Sequence, residues 1–83
     1  MAEDKLRKNI GSEIARLLKE ERLRQKLSLN ILSVRAGLNR QTVSFIEREE
    51  RTPTVDTLLR LTAALGIKLE DLIRNARRIA LTK

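Results

Sequence analysis

The chain has 83 residues, 18 Lys and Arg against 11 Asp and Glu, a formal net charge of +7 and an isoelectric point near 10.8. It has no histidine and no cysteine, which excludes disulfides, thiolate metal sites and the usual general base, so no metal, cofactor or catalysis is expected. A chain this short buries only about 60% of its unfolded surface, leaves little room for a catalytic cleft and gains stability by oligomerising.

The first element is a helix over about Leu6 to Arg24. Leu6, Ile10, Ile14, Leu17 and Leu18 recur at helical spacing, with Glu13, Arg16, Lys19, Glu20 and Glu21 expected on the wet side. Gly11 weakens it only locally.

The second helix is short. Ser28 is a suitable N-cap, Leu27 and Leu32 have the spacing of a hydrophobic staple, and Gly37 supplies the stop. The third repeats this grammar, with Asn39 as N-cap and Leu38 reaching Val43. Leu38, Val43 and Ile46 form one narrow apolar seam, while Arg40, Gln41, Ser44 and Phe45 fall off it toward the other side.

A polar loop, Arg48-Glu49-Glu50-Arg51-Thr52-Pro53, follows. The fourth helix starts at the Thr54 cap, carries Asp56 in its first turn, repeats Val55, Leu58, Leu61 and Leu65 as core positions, and stops at Gly66. The fifth runs from Leu69 to about Ala80, with Leu72, Ile73, Ala76, Ile79 and Ala80 on one face and Arg74, Arg77 and Arg78 on the other. No repeat, low-complexity tract or linker interrupts the chain, so residues 1–83 read as one all-α domain of five helices.

The charge points to a polyanion, most economically nucleic acid, although net charge also serves solubility alone. Phe45 is the only aromatic residue, which argues against modules that stack single-stranded bases and leaves duplex DNA by elimination. Two short helices joined by a tight glycine turn form the helix-turn-helix pattern, here over 28–48, whose second helix enters the major groove.

The run from Ile10 to Leu72 resembles the phage repressor and Cro family of regulators. The string Gly37-Leu38-Asn39-Arg40-Gln41-Thr42-Val43-Ser44-Phe45-Ile46-Glu47-Arg48 is similar to that family's turn and recognition helix. Short chains of this kind also resemble the controllers of restriction-modification systems. The resemblance implies a lambda-repressor-like fold and a transcriptional regulator acting as a homodimer on a palindromic operator. Arg40, Gln41, Ser44 and Phe45 would read base edges: arginine suits guanine, glutamine suits adenine, and an apolar ring suits a thymine methyl. Ser28, Asn39, Arg48, Arg51 and the helix N-terminal amides would contact phosphates.

The resemblance also implies that Arg22 pairs with Glu47 to set the angle between the first and third helices. Without it, these are two surface charges that need not meet. Leu29 stands where the family commonly has glutamine, which puts that DNA contact in doubt. Glu49 and Glu50 are unexpected in a loop that lies along a DNA strand, and should weaken nonspecific grip.

Ile31 and Val34 replace polar residues of the family and either pack on the N-terminal turns around Leu6 or contact another protein. The fifth helix continues past the family's usual end, so Leu72, Ile73, Ala76, Ile79 and Ala80 are expected at a dimer interface. An alternative function is a protein-binding adaptor, such as an antitoxin that holds a toxin or a bridge to the transcription machinery. No apolar run of 18 residues and no signal peptide pattern occurs, and aromatic anchors are missing from the last helix. A cytoplasmic protein with no membrane partner is expected.

Overall fold

The first helix, α1 (Ala2–Arg24), sets the long axis of the molecule in the computed structural model, which describes residues 2–83. Its 23 residues rise about 34 Å at the α-helical 1.5 Å per residue, close to the 38 Å longest extent. It starts four residues earlier than the apolar spacing predicts, because Glu3 and Asp4 in the first turn complement the helix dipole where no apolar residue marks the start. The remaining helices are α2 (Leu29–Ala36), α3 (Arg40–Glu47), α4 (Val55–Leu65) and α5 (Leu69–Leu81), and no strand occurs among the described residues.

The N-caps act as their residue types require. The side chains of Ser28, Asn39 and Thr54 accept from the backbone N–H of Ile31, Gln41 and Thr57, at 3.0, 2.7 and 3.1 Å. At the other ends, α1, α2, α3 and α4 close in the same way. A left-handed residue follows the helix, and two backbone N–H groups turn back onto its last carbonyls.

Gly37 and Gly66 supply two of these closures, as their sequence positions suggest. Lys26 and Glu49 supply the others, with φ of 59° and 61°. The left-handed region is strained for a side chain bearing Cβ. Lys26→Gly is therefore expected to raise stability by about 0.5–1 kcal/mol, and Lys26→Val to lower it; urea melts check both signs.

The core is continuous across the five helices. Leu18, Leu32, Ala36, Val43, Ile46, Leu58, Leu61, Leu65 and Leu72 form it, with Ile14, Leu17, Leu27, Leu29, Leu38 and Ile67 packed around its edge. Val55 is not part of it: this residue is 67% exposed, at the first position of α4, while Thr62, two turns on along nearly the same line of the helix, is buried.

The principal partner of α5 is α1 of the same chain. This corrects the expected dimer face. Leu72, Ala76 and Ala80 are buried inside the monomer, Ile79 is half-buried, and Ile73 alone of the five is left 40% exposed. Small side chains at Ala15, Ala76 and Ala80, all buried, let helix axes approach closely. The apolar stripe thus finds its cover within the fold.

Glu13 is a second correction, since it is 2% exposed and does not face water. Its carboxylate accepts from Lys83 Nζ and from Arg16 Nε, the latter at 2.7 Å. Hydrogen bonds from Lys83 and then Arg16 hold it below the usual carboxylate range. Ile31 and Val34 remain 45% and 72% exposed, so the N-terminal turns around Leu6 do not cover them.

Candidate nucleic-acid interface

Helix α3 is presented outward by a narrow buried seam. Val43 and Ile46 are each 1% exposed, and two buried positions on an eight-residue helix fix its rotation about its own axis. Arg40 and Gln41 are exposed, and Ser44 and Phe45 are half-buried beside them. The four expected reading residues thus share one end or flank of the helix.

Arg22 and Glu47 join α1 to the end of α3. Arg22 Nε donates to Glu47 Oε2 at 2.7 Å and Nη2 donates to Oε1 at 2.9 Å, a two-bond fork. The remaining nitrogen, Nη1, donates to the Leu27 carbonyl at 2.8 Å. Both charged side chains are almost wholly buried. The hydrogen bond to Glu47 raises the Arg22 guanidinium above its ordinary value, against the opposing effect of burial. One side chain therefore ties the end of α1, the lead-in to α2 and the last residue of α3.

The phosphate candidates lie on either side. Arg40, Ser28, Leu29, Asn30 and Arg22 line an open hollow where the N-terminus of α2 meets that of α3. Free amides at two helix N-termini and an exposed guanidinium favour an anion there. Ser28 Oγ and Asn39 Oδ1 accept the cap bonds, which leaves the Ser28 hydroxyl proton and the Asn39 amide as donors. Leu29 packs against the core and offers no polar group in place of glutamine.

Beyond the end of α3, Arg48 and Arg51 each place a guanidinium 5.2 Å from the centroid of the Phe45 ring. Arg48 Nη2 is 3.1 Å from Glu50 Oε2, and Arg51 Nη1 donates to Thr42 Oγ1 at 3.4 Å. The other unexpected acid, Glu49, accepts from Ser12 Oγ at 2.5 Å. Both loop carboxylates are thus engaged.

Sequence reasoning missed the arginines over Phe45, the Ser12 to Glu49 bond and the burial of Glu13. The Phe45 to Arg48 spacing of three residues is the one signal that was available for the first of these. The other contacts depend on the path of the loop and on how α5 packs along α1.

The helix-turn-helix family profile matches residues 18–72. An uncharacterized HTH-type transcriptional regulator, y4dJ of Sinorhizobium fredii, is 40% identical over 68 residues, spanning 82% of this chain and 83% of the relative. The crystal structure of the restriction-modification controller protein C.AhdI from Aeromonas hydrophila superposes with a TM-score of 0.70 at 30% identity. It covers 76% of this chain and 94% of that one. The wild-type controller C.Esp1396I shares the fold with a TM-score of 0.79 over 89% of this chain and 96% of its own, at 22% identity. The chain belongs to the helix-turn-helix family of DNA-binding transcriptional regulators, and not to a family of enzymes.

Proposed function

We propose that this regulator is sequence-specific and acts in the cytoplasm as a homodimer on a roughly palindromic operator in duplex DNA. The observation that carries this reading is an exposed Arg40 and Gln41 on a helix joined to α1 by the Arg22–Glu47 fork. In it, Arg40, Gln41 and Ser44 reach base edges. Ser28, Asn39, Arg48, Arg51 and the amides of α2 and α3 hold the flanking phosphates. Residues 1–83 act as one domain, and no described helix is long and apolar enough to cross a membrane.

Arg40→Ala and Gln41→Ala are each expected to lose about 1–3 kcal/mol on the operator and little on random duplex, while Arg51→Ala weakens all sequences alike and flattens the slope of log K against log salt by about one. Fluorescence anisotropy over a salt series checks both. Equal losses on the two DNAs would reassign Arg40 and Gln41 to the backbone, and an unchanged slope would remove Arg51 from the phosphate set.

A second reading, a protein-binding adaptor such as an antitoxin, is supported by exposed Ile31 and Val34 on the outer face of α2. A toxin gene beside this one would favour it, and restriction and modification genes would favour the controller role.

A further inference from the structure

We infer that Phe45 is a positioning residue, one that holds Arg48 and Arg51 ready for backbone phosphates instead of reading a base itself. The inference rests on the DNA-binding reading above and changes the role of one residue within it. Two guanidiniums sit over a single ring, each 5.2 Å from its centroid, within the range where the ring quadrupole attracts a cation. The ring is therefore occupied. A thymine methyl approaching a covered face of Phe45 would compete with a guanidinium for it.

The arrangement has a physical use in the free protein. Arginine side chains carry much rotamer freedom, and ordering them on binding weakens affinity. Here the ring supplies one wall for both, Thr42 Oγ1 accepts from Arg51, and Glu50 sits against Arg48. Two like charges held at one ring also repel, and a single carboxylate beside Arg48 does not neutralise both. A phosphate strand passing the loop relieves that repulsion, and its oxygens accept from planar guanidiniums in the geometry they favour.

The position of the ring suits the task. Phe45 lies on α3 two residues before its last, while Arg48 and Arg51 are in the loop that follows. The left-handed turn at Glu49 brings the loop back over the helix end, with Glu50 N–H donating to the Phe45 carbonyl at 2.8 Å. Backbone and ring thus couple the reading helix to the loop.

The test compares Phe45→Leu, which keeps an apolar group of similar size, with Phe45→Tyr, which keeps the ring. Binding is measured by anisotropy on a selected operator and on a scrambled duplex, across salt, with single-base variants of the operator. Phe45→Leu is expected to weaken both DNAs about 3- to 10-fold with the preference between them unchanged, and Phe45→Tyr to stay within about twofold of the parent. Phe45→Leu should add little to an Arg48→Ala, Arg51→Ala double variant. In the free parent, the side-chain protons of Arg48 and Arg51 should show ring-current shifts that Phe45→Leu removes, whatever that change does to stability.

A loss confined to one base pair of the operator would make Phe45 a reader and overturn the inference. Absent ring-current shifts, or a folded Phe45→Leu that binds like the parent, would overturn it too. A parent chain that binds neither duplex would instead overturn the DNA-binding reading beneath it.

Discussion

Arg22→Ala and Glu47→Ala are each expected to destabilise the fold by about 3–5 kcal/mol, because either change strands a buried charged partner. Without Arg22, the buried Glu47 carboxylate loses both donors of the fork. Without Glu47, the guanidinium keeps only the Leu27 carbonyl. For a domain of this size, 1 kcal/mol moves the melting temperature by about 4–8 °C, so a drop of at least about 12 °C should appear in a thermal melt.

The double change Arg22→Met, Glu47→Leu removes both charges and fills the space, and should cost less than either single change. Melts of both single variants within a few degrees of the parent would contradict a buried pair. Any single variant that still folds in the cold should also discriminate operator from random DNA less well, since the fork joins α3 to α1.

Leu59→Asp combined with Ile73→Asp is expected to give a folded monomer whose operator affinity falls by about a hundredfold or more. A dimer contact cannot use the full stripe of α5, because Leu72, Ala76 and Ala80 are buried within the monomer, where α5 packs on α1. The large apolar side chains left exposed on α4 and α5 are Val55, Leu59, Ile73 and Leu81, of which Leu59 and Ile73 lie within the helices and not at their ends. Surface positions tolerate aspartate in the monomer, while a twofold contact through them would not.

Joining two readers makes the second binding event intramolecular, and the gain in avidity is about 10²–10⁴. Two copies of α3 would then lie about 34 Å apart, in successive turns of the major groove. Sedimentation equilibrium at micromolar concentration distinguishes the states. A parent that sediments as a monomer, or a double variant that still dimerises and binds normally, would place the contact elsewhere.

Local chemistry explains which features were legible in the sequence. Ser28, Asn39 and Thr54 announce helix starts because their side chains can accept an amide proton two or three residues on. Gly37 and Gly66 announce stops because they enter the left-handed region without strain. The same turn made by Lys26 and Glu49 carries no such mark.

Periodicity located the apolar faces of α1, α4 and α5 but not what covers them. Thus Val55 was expected in the core and is exposed, and Ala76 and Ala80 were expected at a subunit contact and lie against α1. Glu13 reads as a wet position by type, and its burial depends on Arg16 one turn on and Lys83 at the far end of the chain. Arg22 and Glu47 meet across 25 positions of sequence; only the family resemblance, not their spacing, suggested the pairing.

The most direct measurement is selection of bound duplexes from a random pool by the intact chain, followed by sequencing. The expected result is one enriched motif with twofold symmetry and half-sites about one helical turn apart. Its preferred bases should shift when Arg40 or Gln41 is changed. A pool that stays random after repeated rounds, while the chain binds all duplexes alike, would contradict sequence-specific recognition by α3.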